Sequence, residues 1–201
     1  MLKELTKSSS FFLVMDLQSE LCQLLESGCV QRNRSGLSYD VEDIAQSIQY
    51  NNLPVTQDDV TLTFNTDGVP LYDSSQFGIW PLLPYKLPIQ KLLLAALWFG
   101  PGKPNMNCFL VPFVKTMNDL SSSGVVWNDK EGVAHVSKAY PGPCTVDSLA
   151  RREVMNMTQF NGSQGCAWCE DAGEVKPKGR GTCPVYVPSG SAPKLRTHDS
   201  C

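Results

Sequence analysis

The chain has no excess of positive charge, no long apolar run and no internal repeat, and each absence removes a class of protein. A formal net charge of -3 over 201 residues does not suit a protein that grips nucleic acid over its whole surface, so any such contact must be local. The only apolar run near the N-terminus is Phe11 to Met15, which Asp16 ends well short of a signal peptide's apolar region or a membrane span. No membrane is expected. Eight cysteines are too few for a disulfide scaffold, and an intracellular, reducing compartment follows. Without a repeat, solenoid and propeller architectures drop out. What is present is 42% hydrophobic against 18% charged residues, enough to bury one core with a small appendage.

Taken in order, Phe12, Leu13, Leu17, Leu21, Leu24 and Leu25 share a helical face, which predicts a helix over 9–27 ended by Gly28. A second short helix is expected over 40–48, with Asp40 as cap and Val41, Ile44, Ala45 and Ile48 at helical spacing. Residues 1–55 therefore read as an N-terminal helical region. The stretch Thr61 to Pro70, TLTFNTDGVP, follows as a half-buried strand that the Asp67-Gly68 pair and Pro70 stop. A carboxylate at the end of a core strand is held rigidly and suits a metal, although Asp67 also suits an Asx-type turn.

Phe77 to Pro84 reads as a second strand, irregular or at an edge because of Pro81 and Pro84. Lys91 to Gly100 is apolar throughout and reads as a third, buried on both faces. A helix is predicted from Asn105 to Leu120, with Pro112 as a possible kink. Val125 to Asn128 and Val133 to Ala139 form a hairpin around Asp129 to Gly132. Asp147 then repeats the opening pattern, a lone carboxylate after a strand, which also suits the N-cap of a helix over 148–159.

Beyond Phe160 the chain is rich in Gly, Pro, Ser and Lys and cannot hold itself together through a hydrophobic core. It carries a CxxC, Cys166 to Cys169, with Cys183, His198 and Cys201 further on. A tetrahedral zinc site drawn from these residues supplies the cross-link; a redox pair is the other use of CxxC, but no thioredoxin-like strand precedes it.

The order of FNTDGVPLYDSS (64–75), Trp80-Pro81, LWFGPGKPNMNCFLVPFV (97–114), VDSLAR (146–151), MTQFNGSQGCAWC (157–169) and RTH (196–198) resembles transposases of the En/Spm (CACTA) class, in their animal branch. The resemblance spans about residues 55 to 199. It implies an α/β fold: an incomplete RNase H-like mixed sheet with flanking helices over 56–160, in the order three strands, helix, fourth strand, helix, followed by a loop-rich zinc-binding insert over 161–201. It also implies a DDE site holding two Mg2+ or Mn2+ ions for DNA hydrolysis and strand transfer at transposon ends, in the nucleus. Asp67 matches the first acid and Asp147 the second, on adjacent strands. Cys166, Cys169 and His198 match the insert's zinc ligands, with Cys201 or Cys183 as the fourth.

The third acid of that triad is expected on a helix after the insert, beyond Cys201. Glu153 cannot replace it, since six residues after Asp147 it lies about 240° around the same helix. The expectation is a transposase fragment or derivative that is catalytically incomplete alone. The alternative is a domesticated DNA- or protein-binding module that keeps fold and zinc site without catalysis. The basic clusters Arg151-Arg152, Lys176 to Arg180 and Lys194 to Arg196 read as solvated loop charges or local contacts to DNA phosphates.

Overall fold

The structure, a computed structural model, describes residues 3–5, 10–28, 50, 52–72, 76–86, 91–187 and 192–197. It divides into two compact units, residues 1–145 and 146–201. The first is built on one mixed sheet. Its strands are β1 (Lys3–Leu5), β2 (Ser10–Val14), β3 (Val60–Thr66), β4 (Val69–Pro70), β5 (Phe77–Lys86), β6 (Lys91–Leu92), β7 (Ala96–Pro101) and β10 (Ala139–Cys144). The main order is β1-β2-β7-β5-β3-β10, with β4 and β6 also paired to β5. Every pairing in it is antiparallel except β3 with β10, which is parallel. A separate hairpin joins β8 (Val125–Asn128) to β9 (Ala134–Ser137).

Residues 10–14 are a strand, where helical periodicity predicts the start of a helix. Phe11, Phe12, Leu13 and Val14 pair with β7, and Phe11 stacks on Phe99 at a centroid distance of 4.8 Å. An aromatic and β-branched run beside an open strand edge gains more from the ladder than from a helical turn. The N-terminal stretch thus adds strands to the main sheet. The helix α1 (Leu17–Glu26) begins only after Asp16, whose carboxylate accepts the Ser19 N–H at 3.0 Å, and it buries Leu17, Leu21, Leu24 and Leu25. The helix expected over 40–48 lies outside the described residues.

The prolines of β5 do not put it at an edge, for it runs between β3 and β7. Leu82 O accepts from Ala95 and Pro84 O from Leu93, so even-numbered residues of this stretch face β6 and β7. The missing Pro84 N–H falls between the β7 ladder, which ends at Leu82, and β6, which begins opposite Tyr85. Pro81 faces the other side, between the β3 ladder ending at Leu82 and β4 beginning opposite Ile79. Pro81 removes no bond that the ladder makes, while Pro84 keeps half of its pair with Leu93 through its carbonyl.

The helix predicted from Asn105 to Leu120 is two. Asn105 caps α2 (Met106–Phe109), and α3 (Val111–Ser122) restarts after Leu110 with Pro112 in its first turn, where no N–H donor is needed. Phe109 packs on Phe12 and Phe113 on Phe64, at centroid distances of 5.5 and 5.0 Å, so these helices cover the sheet beside β2 and β3. Between β9 and β10, Lys138 donates its backbone N–H to the buried Asp59 carboxylate at 2.8 Å. Its carbonyl accepts from Val60 at 2.9 Å. This sets the start of β10 beside the start of β3.

The second unit holds α4 (Ser148–Met155) and an exposed two-stranded ribbon, β11 (Glu174–Lys178) and β12 (Gly181–Val185). The helix ends before the expected residue 159, because Asn156 takes the left-handed conformation at φ 50°. No helix among the described residues is long and apolar enough to cross a membrane.

Candidate functional site

Val60, Leu62 and Thr66 point into the core from β3, which leaves Asp67 beyond the strand, exposed. β3 ends at Thr66, as expected, just before the Asp67-Gly68 pair. Pairing to β5 stops at Thr66 opposite Leu82 and resumes in the same register at Val69 opposite Ile79, so the pair is a break within one edge of β5. Pro81, which lacks an N–H, belongs to this interval. Asp67 Oδ1 accepts the Gly68 N–H at 2.7 Å. The Trp80 indole lies against Gly68, where a Cβ would come within 2.6 Å of Cε2, so the break is closed over by an aromatic ring. The fully buried Thr66 hydroxyl next to it has no hydrogen-bond partner among the described residues.

The ends of β3 and β10 are tied together. Thr145 N–H donates to Phe64 O at 2.8 Å, the Asn65 amide donates to Thr145 O, and the Tyr85 and Thr145 hydroxyls lie 3.2 Å apart. Asp67 follows Asn65 by two residues, and Asp147 follows Thr145 by two. Asp147 belongs to the second unit, where it is the N-cap of α4 and accepts from Leu149 at 2.9 Å and Ala150 at 2.7 Å, both through Oδ1. Oδ2 of neither aspartate accepts a hydrogen bond from the described residues. Hard, outward carboxylate oxygens of this kind fit Mg2+ or Mn2+.

In the second unit the CxxC forms a tied turn. Cys169 bridges Leu195 in antiparallel fashion, with Glu170 N–H donating to Lys194 O and Arg196 N–H to Trp168 O at 3.0 and 2.9 Å. The Arg196 guanidinium donates to Cys166 O at 2.9 Å and Gln164 O at 2.7 Å. Tyr186 OH bridges Gly162 O and Gly165 N–H. The Trp168 N–H holds the Cys166 thiol below its ordinary range, aided by the Cys169 thiol and backbone N–H and the Arg196 charge against an opposing contribution from burial. Cys169 is raised: the Asp171 N–H acts to lower it, but the neighbouring Cys166 and burial outweigh that. The two sulfurs are shifted in opposite directions side by side, and such a cysteine pair is a donor set suited to zinc.

Of the remaining expected ligands only Cys183 is among the described residues. His198 and Cys201 lie outside the described residues. Cys183 sits on β12 across from Lys176. Among the described residues no group of three or more His, Cys, Asp or Glu is placed to hold a metal ion. Tyr186 is a positioning residue that the sequence reading did not single out, and Trp80 and Arg196, quoted there only within motifs and a basic cluster, prove to be positioning residues too. Trp80 stands opposite a glycine across a strand gap, which becomes visible only once the register is known. A comparison with protein-family models and a comparison with curated proteins each gave no match.

Proposed function

We propose that the chain derives from a cut-and-paste DNA transposase with an RNase H-like catalytic core and a zinc-binding insert. The observation that carries this reading is the parallel pairing of β3 with β10. Three strands paired antiparallel (β3, β5, β7), then α3, then β10 beside β3, then α4, is the order that the resemblance implies. One aspartate follows each of the two adjacent strands.

On this reading Asp67 and Asp147 hold Mg2+ or Mn2+, and DNA at transposon ends is the substrate. Two divalent cations at such a site activate the attacking water or 3′ hydroxyl and stabilise the leaving oxygen. The chain's own part is positional. The Gly68-Trp80 contact holds the Asp67 carboxylate at the break, and the α4 cap holds Asp147 in one orientation. Cys166, Cys169 and His198, with Cys201 as fourth ligand, hold Zn2+; the pairing of residues 168–170 with 194–196 supports this, because it brings the chain alongside the CxxC two residues before His198. These 201 residues supply two of the three acids and are not expected to cleave DNA alone. A second reading, a non-catalytic DNA- or protein-binding module, draws support from the Asp147 cap, since that use of the carboxylate needs no metal.

Titration of Mn2+ into the isotope-labelled chain separates the readings. The transposase-derived site predicts paramagnetic broadening at residues beside both Asp67 and Asp147, abolished by Asp67→Asn, with no DNA cleavage. Broadening that Asp67→Asn leaves intact overturns the site, and robust Asp67-dependent cleavage by this chain overturns its incompleteness.

A further inference from the structure

The second unit contains a slot of about 280 Å³ whose lining touches the CxxC turn at Cys166 but includes neither Asp67 nor Asp147. Its walls include Arg151 and Arg152 from α4, Phe160, Trp168 and Tyr186, and no carboxylate lines it. Trp168 is 76% exposed and Phe160 55%. An indole left this open on a turn tied by Arg196, Leu195 and Tyr186 is a rigid apolar plate facing water. Arg151 has no ion-pair partner among the described residues, and Arg152 reaches Glu153 only at 3.8 Å, with 46% of its side chain exposed.

Aromatic plates beside guanidinium groups fit one ligand chemistry well: a flat base that stacks, joined to a phosphate that the cations hold. The volume lies near the lower end of small-ligand pockets, about 300 Å³ and upward, and so admits one base and not a duplex. Base edges in a duplex are stacked on each other and cannot reach such a plate.

We propose that this slot takes an unpaired nucleotide of DNA, with the base stacked on Trp168 and its phosphate held by Arg151 and Arg152. The partner's identity as DNA rests on the transposase-derived reading. The stacking itself uses neither Asp67 nor Asp147, so the two fail separately.

The test titrates the full chain with a short fluorescein-labelled DNA single strand, the matching duplex, the matching RNA strand and an acidic peptide. Anisotropy and tryptophan emission are read together. Of the four tryptophans, Trp80 and Trp127 are buried and Trp98 is half-buried in the first unit, so the quenching that Trp168→Phe removes is the part that reports Trp168. The single DNA strand is expected to bind at least tenfold more tightly than the duplex. Trp168→Ala should weaken it roughly ten- to hundredfold with circular dichroism unchanged, as befits a side chain 76% exposed, while Trp168→Phe keeps most of the affinity. Arg151→Ala should reduce the salt dependence of binding. Equal binding of duplex, tighter binding of the RNA or the peptide, or full affinity in Trp168→Ala each overturns the proposal.

Discussion

Trp80 stands across the sheet from Gly68, so close that a Cβ on Gly68 would lie 2.6 Å from the indole Cε2. Glycine is needed there for space, and the ring in turn shields a strand segment that has lost its ladder bonds. Asp67 owes its fixed position to this pair. Gly68→Ala should destabilise the chain by about 1 to 3 kcal/mol through overpacking. Trp80→Phe should relieve part of that penalty, so the double mutant is more stable than the sum of the single changes. Urea unfolding of all four proteins measures the coupling, and strict additivity would show that the contact carries no energy.

The Thr66 hydroxyl, one residue before Asp67, is buried without a partner among the described residues. A buried unsatisfied polar group is unfavourable by about 1 to 3 kcal/mol. Thr66→Val keeps the branched shape and removes the oxygen, so a gain of about 1 kcal/mol is expected, read as a higher Tm. A loss of stability would mean that the hydroxyl has a partner, such as an ordered water.

Asp59 is buried and holds the starts of β3 and β10 together through Thr56 and Lys138. Burial pushes its carboxyl up, but the Thr56 N–H, the Lys138 N–H and the Thr56 hydroxyl outweigh it and hold it below the ordinary range. A depressed folded-state pKa contributes stability that is complete above the unfolded value, about 3.9, and is lost as pH falls through the lower folded value. Asp59→Asn should therefore lose about 1 to 3 kcal/mol at neutral pH. Its deficit against the parent chain should shrink as pH is taken below about 4. Denaturant unfolding across a pH series checks this, and a deficit independent of pH refutes it.

Protein prepared with zinc should carry about one ion per chain. Cys166→Ser with Cys169→Ser should abolish it. Because Cys183 lies on β12 opposite Lys176, Cys183→Ser is expected to leave the zinc in place, whereas Cys201→Ser removes it. Metal analysis decides, and unchanged zinc in the Cys166/Cys169 double variant sinks the assignment.

Reading of the sheet from sequence succeeds where pattern and pairing agree and fails where a neighbour decides. The alternation of Thr61 to Phe64 leads directly to β3, whereas the run read as one strand over Lys91 to Gly100 is two, β6 and β7, with residues 93–95 between them. Pro81 and Pro84 suggest an edge strand only because the sequence does not show that their missing donors fall in gaps of the two ladders. Phe11 to Val14 satisfies a helical spacing with the leucines behind it, and the open edge of β7 overrides that spacing.

Local chemistry settled by the sequence alone includes the caps Asn105 and Asp147, because a short oxygen-bearing side chain meets the nearest N–H groups whatever surrounds it. Tertiary structure alone decided that β3 lies parallel to β10, that Trp80 covers Gly68, and that Arg196 ties the CxxC turn. Each of these joins residues distant along the chain, and such contacts form only when burial of a shared core repays the entropy of closing the loop between them.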